Sequence, residues 1–189
     1  MAITSLDGAP LRAVLREVIR RNRIRDGILY LQMTRGVARR EHSFPAMQAT
    51  TLVVTMRPAT LPPPEALRAG GNVLTLPDFG GMRCHIKTLA GLPKGLAKQH
   101  ARERGAFEAW LIDEGGFITE GSATNAWIVT KKGVLITRHT NGSILSGITR
   151  EGILRAAAAE GIALEERSFH LKEAKDAAEA FLTSTTSFL

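Results

Sequence analysis

The sequence holds one cysteine, Cys84, in 189 residues. An intramolecular disulfide and a metal site of several thiolates are excluded, and a reducing cytoplasm suits the chain. Long apolar runs are missing too. The longest charge-free stretch, Ser43 to Met56, is interrupted by Pro45 and Gln48 and falls short of the roughly 20 residues a spanning helix needs. The first thirty residues carry no apolar block of a secretory leader and are instead crowded with arginine. Proline is sparse, and 44% hydrophobic with 23% charged residues excludes a disordered, collagen-like or fibrous chain. Lysine is absent from the first sixty residues, where ten arginines against four acids supply +6 of the net +7.

Much of that surplus lies between Arg12 and Arg25. There Leu11, Val14, Leu15, Val18 and Ile19 recur at helical spacing with the arginines mainly opposite, which predicts an amphipathic helix. The arginine face is read as solvated surface rather than as a nucleic-acid site, and no membrane partner is expected. Strands are predicted at Ile28–Thr34 and Thr51–Met56. Pro58, Pro62, Pro63 and Pro64 then suggest a stiff linker. The fold expected is mixed α/β (α+β) with two domains: a partial N-terminal domain over 1–57, a linker over 58–66 and a C-terminal domain over 67–189.

Within the second domain the patterns predict strands at Asn72–Leu76 and Cys84–Leu89 and a helix over 93–104, opened by Pro93 and stopped by Gly105. Two hairpins follow, turning at 113–116 and 131–133. Thr149 is expected to cap a helix running to Glu160, followed by a strand over 162–169, a helix over 171–178 and a strand over 180–183.

Four features could carry chemistry, and each has a plainer reading. Lys87, among apolar neighbours, is either a lysine on a strand's wet face or, if desolvated, a nucleophile toward aldehydes. Gly147-Ile148-Thr149-Arg150 is a simple helix cap or an anion site made of free N–H groups and the Thr149 hydroxyl. Thr183-Ser184-Thr185-Thr186-Ser187 is a polar loop or a row of hydroxyl donors. Glu120 stands in a small-residue turn, where an acid is usually just solvated.

Taken together, Ile86-Lys87-Thr88-Leu89, Leu96-Ala97-Lys98-Gln99, Thr119-Glu120-Gly121-Ser122 with Asn125, Gly147-Ile148-Thr149-Arg150 and Thr183-Ser184-Thr185-Thr186-Ser187 resemble the class IV (fold type IV) aminotransferases in order and spacing. The resemblance implies pyridoxal 5'-phosphate as cofactor. Lys87 would bond its aldehyde carbon and shuttle the substrate α-proton, and Glu120 would pair with the pyridine nitrogen. Ile148 and Thr149 would hold the phosphate with Thr185, and Ser184 and Thr186 lie close by in the motif. Relative to the family, N- and C-terminal segments are expected to be missing and the N-terminal domain incomplete. Met1 to Ala9 carries no motif of the family, Ala90 stands where an asparagine is common, and Phe188 where a glutamate is common.

A second match, Thr34-Arg35-Gly36 followed by Arg40, His42, Phe44 and Pro45, resembles the D-amino acid aminotransferases. Alternation in an extended segment would put Arg40 and His42 on one face and Arg39 and Glu41 on the other. In that group such a pair grips the substrate carboxylate from the neighbouring subunit, which implies a homodimer. The reaction implied is transfer of an amino group between a D-alanine-like amino acid and a 2-oxo acid. Branched-chain aminotransferase and aminodeoxychorismate lyase are the enzyme alternatives, and a truncated, weakly cofactor-binding or inactive chain is the non-enzyme one.

Overall fold

A computed structural model describes residues 3, 6, 8–45, 49–60, 63–80 and 83–186. The chain divides into two compact units, Met1–Pro62 and Pro63–Leu189.

In the first unit, helix α1 spans Gly8–Asn22 and precedes the antiparallel pair β1 (Gly27–Thr34) and β2 (Thr51–Pro58). α1 extends beyond the periodic positions Leu11 to Ile19 at both ends and stops short of Arg25, because Arg23 takes a left-handed φ of 54° that the helix cannot continue. Leu11, Leu15 and Val18 are half-buried, while Glu17 accepts from Arg20 and Arg21 on the polar side. Gly27 has no room for a side chain, since a Cβ would press on Ile24 at 2.9 Å and on the Arg57 carbonyl at 2.5 Å.

The second unit opens with α2 (Pro64–Ala69), so the proline-rich stretch is not linker throughout: Pro58 ends β2, and Pro64 is the first residue of a helix. Proline is compatible with a first helical position, where no amide donor is needed. Strands β3 (Val73–Pro77), β4 (Glu108–Ile112) and β5 (Ile118–Gly121) form one sheet, with β3 and β4 parallel and joined through helix α3 (Leu92–Glu103). Strands β6 (Asn125–Val129), β7 (Leu135–Thr137), β8 (Leu164–Glu166) and β9 (Glu179–Thr183) form another in the order β8-β7-β6-β9. Helix α4 (Ile148–Ala159) connects β7 to the parallel β8, and α5 (Leu171–Asp176) precedes β9.

Period-two alternation explains how these layers stack. On β4, Trp110 faces a core shared with Ile118, Ala126, Ile128, Ile136 and Phe169, while Ala109 and Leu111 face Ala97 and Ala101 of α3. On β6, Ala126 and Ile128 enter that shared core, whereas Trp127 turns the other way to Leu135 and Ala157 of α4. The two sheets therefore meet face to face, with α3 and α4 on their outer sides.

Three expectations need correction. Residues 83–91 form irregular turns rather than a strand: the Ile86 N–H bonds the Arg83 carbonyl, the Gly91 N–H the Leu89 carbonyl, and the Cys84 N–H reaches Gly142 at 3.0 Å. With these backbone groups spent on turns and on a single loop contact, no ladder forms. β8 is only three residues long because its partner β7 is equally short and the Ile162 N–H is spent on the Ala157 carbonyl. Helix α4 is capped by Gly147, not by Thr149, which lies inside the first turn. Ser187 and Phe188, named above, lie outside the described residues.

Candidate cofactor site

Glu120 sits near the end of β5 and is only 3% exposed. Its Oε2 accepts the Leu145 N–H at 2.9 Å and its Oε1 accepts from Lys94 Nζ at 2.5 Å. Burial pushes this carboxyl above its ordinary value, Lys94 and the Leu145 N–H pull it down, and Asp78 pushes it up further. The plain reading of Glu120 as a solvated turn acid does not hold.

Leu145 is fixed from both sides, since its carbonyl accepts from Asn125 Nδ2 at 2.9 Å. Two residues on, Gly147 caps α4, and a Cβ there would collide with the Asn125 amide oxygen. One short segment thus joins the buried carboxylate to the N-terminus of a 12-residue helix. The first helical hydrogen bond runs from the Glu151 N–H to the Gly147 carbonyl, so the Ile148, Thr149 and Arg150 N–H groups have no acceptor earlier in the helix. Thr149 is half-buried beside them and Ile148 is exposed. Below, Arg150 is buried and donates to the Arg138 carbonyl at 2.9 Å and to Glu166.

A buried carboxylate acceptor and N–H donors left without an acceptor earlier in the helix are the groups that a phosphorylated pyridinium needs at its two ends. The residues present fit the cofactor in that respect.

The remaining expected site residues are less closely tied in. Lys87 lies in the irregular 83–91 segment, is exposed, and makes no hydrogen bond or ion pair among the described residues. Ser184 is half-buried and accepts the Thr186 N–H at 3.2 Å; Thr185 is exposed. Arg40 and His42 are exposed in the first unit. The backbone bends at both, so strand alternation does not set the side they share. Nearby, the Arg35 guanidinium lies 3.8 Å from the Phe44 ring centre.

Sequence reasoning missed Glu108 and Lys94. Glu108 is fully buried and accepts from Ser122 Oγ, from the Ala109 N–H at 2.8 Å and from Thr124 Oγ1 at 3.4 Å, with Lys98 Nζ 3.4 Å away. It thereby ties down the corner that follows Glu120. An acid inside the apolar run Ala106 to Ile112 was the available signal. Thr183, in the hydroxyl row, is likewise committed to structure, accepting from Trp127 Nε1 at 2.9 Å.

Residues 2–189 match the family described as amino-transferase class IV, including most of the stretch that carries no motif of its own. D-alanine aminotransferase of Bacillus licheniformis is 39% identical over 184 residues, 97% of this chain and 64% of that protein. Two solved structures have the same fold at 26% identity. The branched-chain amino acid aminotransferase of Escherichia coli has a TM-score of 0.82 over 97% of this chain and 62% of its own. A second branched-chain amino acid aminotransferase, from T.th. and with pyridoxamine 5'-phosphate, has 0.80 over 96% and 62%. The chain thus spans less than two thirds of the length of these relatives. Among the described residues no helix is long and apolar enough to cross a membrane. With its mixed α/β layers, its motif order and a match over almost its whole length, the chain belongs to the class IV aminotransferase family.

Proposed function

We propose that the protein serves pyridoxal 5'-phosphate-dependent transfer of an amino group between a D-amino acid, of the D-alanine kind, and a 2-oxo acid. The observation that carries this reading is the link from Glu120 through Leu145 to the α4 N-terminus, which holds a ring-nitrogen acceptor and a phosphate cradle on one fixed segment. When bound, the cofactor supplies an electron sink that stabilises negative charge at the substrate α-carbon.

The protein's residues supply the rest. Glu120 would accept a hydrogen bond from the ring nitrogen. The Ile148 and Thr149 N–H groups and the Thr149 hydroxyl bind phosphate at the positive end of α4, with Thr185 and Ser184 as further donors. Lys87 would be the amine that holds the cofactor and moves a proton at the substrate α-carbon. Its exposed loop leaves the ammonium free of competing partners among the described residues.

Arg40 and His42 bind the substrate carboxylate from a second copy of the chain, so the working unit is a homodimer. The cofactor belongs to the domain spanning 67–189 and the carboxylate pair to that spanning 1–57. A reducing cytoplasmic setting is in keeping with the lone cysteine. The 39% identity to a D-alanine aminotransferase supports the D-specific reading over the branched-chain one.

The test is reconstitution with pyridoxal 5'-phosphate, borohydride reduction and peptide mapping, together with amino transfer from D-alanine and from L-leucine. Label on Lys87 and turnover of D-alanine are expected. Label on Lys94 or Lys98 would overturn the role of Lys87. Preference for L-leucine would replace the D-specific reading with the branched-chain one, and absence of both label and turnover would favour an inactive chain.

A further inference from the structure

The Lys94–Glu120 ion pair has no part in the function proposed above, yet it occupies the atom that function requires. Glu120 has two oxygens. The Leu145 N–H holds Oε2, and Lys94 Nζ holds Oε1 at 2.5 Å. A ring nitrogen seeking this carboxylate meets an ammonium already in place.

Three physical facts define the relation. A carboxylate that is 3% exposed is costly to leave without a counter-charge, so a cofactor-free site needs a cation of its own. Lys94 can be that cation and still withdraw. It stands in the first turn of α3, and its side chain keeps 26% of its surface in water at the end of a flexible four-carbon stem. Glu120 cannot withdraw, being fixed in β5 and tied to Leu145. Finally, a protonated ring nitrogen and an ammonium on one carboxylate place two cations against one anion, and their repulsion disfavours simultaneous occupancy. Asp78, whose Oδ2 accepts from Thr119 Oγ1 at 2.7 Å, is a second carboxylate near Glu120 and pushes its pKa up.

We infer that Lys94 is a stand-in for the cofactor's ring nitrogen: it neutralises Glu120 while the site is without cofactor and is displaced from Oε1 on loading. Lys94 is thus a positioning residue that stabilises the cofactor-free chain at the expense of cofactor affinity. This rests on the reading of Glu120 given above.

The experiment titrates the whole chain with pyridoxamine 5'-phosphate, which needs no bond to Lys87, by calorimetry. Three proteins are compared: the natural chain, Lys94→Met, which keeps the unbranched stem, and Lys94→Arg, which keeps the cation. A second ligand, the analogue with carbon in place of the ring nitrogen, is run in parallel. Lys94→Met should bind pyridoxamine 5'-phosphate at least tenfold more tightly while its cofactor-free form melts at a lower temperature, and Lys94→Arg should stay near the natural chain. The carbon analogue should gain nothing from Lys94→Met. A merely structural lysine would give lower stability and equal or weaker binding, and that result overturns the inference, as does an equal gain with the carbon analogue. Binding by none of the three proteins would overturn the proposed function itself, and this inference with it.

Discussion

Leu145 donates its backbone N–H to Glu120 Oε2 at 2.9 Å, which ties the buried carboxylate to the loop entering α4. Leu145 carries no signal of its own in the sequence. Its pairing with Glu120 sets the spacing between the buried acid and the α4 N-terminus.

Gly147→Ala should damage this link. The added methyl would collide with the amide oxygen of Asn125, whose Nδ2 holds the Leu145 carbonyl. Displacing that amide should cost about 1–3 kcal/mol in urea-unfolding stability. Asn125→Ala should cost less when added to Gly147→Ala than when made alone, since the collision is then relieved; a strictly additive double-mutant cycle would show that the two do not communicate.

Glu120 predicts a pH dependence. Its folded value is raised above the ordinary 4.5, chiefly by burial. Between 4.5 and that higher value the folded chain holds a proton the unfolded chain has released. The Glu120 contribution to stability is therefore full below 4.5 and is lost as pH rises through the folded value. Glu120→Gln should flatten this part of the stability profile measured by denaturant unfolding. An unchanged slope would show that Lys94 and Leu145 fully offset burial.

Glu108→Ala should be more damaging to the fold than Glu120→Gln. It strands the Ser122 and Thr124 hydroxyls in a buried corner and removes the acid opposite Lys98. Loss of a buried pair's partner is worth about 3–5 kcal/mol, to be reduced here because Lys98 is half exposed. Melting of Glu108→Ala within a degree of the natural chain would deny the corner its structural role.

Elements with a strong period were legible from sequence. β6 is one: Ala126 and Ile128 turn one way and Trp127 the other, and it ends just before the hairpin turn expected at 131–133. The 83–91 segment was not legible, because apolar residues beside a lysine look strand-like whether or not a neighbouring strand exists to pair with them. Glu120 could be singled out by its motif, but its partners could not: Lys94 and Leu145 are distant in sequence, and nothing local indicates that they converge. Glu108 went unnoticed for the same reason, since its value depends on hydroxyls brought from the far side of a hairpin.

In the proposed function, the hand of the substrate turns on Arg40 and His42 of the first unit. Arg40 and His42 are exposed, and neither makes a hydrogen bond or ion pair among the described residues, so both side chains are available to an incoming carboxylate. Arg35 differs, because its guanidinium stacks on Phe44. A charge-assisted hydrogen bond to a carboxylate is worth about 1.5–3 kcal/mol, so Arg40→Leu should raise the KM for D-alanine by roughly tenfold or more at nearly constant stability. Arg39→Leu should change it by less than about threefold, under ~1 kcal/mol. Steady-state kinetics with D-alanine and L-leucine separates the possibilities. A greater loss from Arg39→Leu than from Arg40→Leu would move the carboxylate site to the neighbouring arginine. Equal KM changes for the two amino acids in Arg40→Leu would show that Arg40 binds carboxylates without selecting their hand.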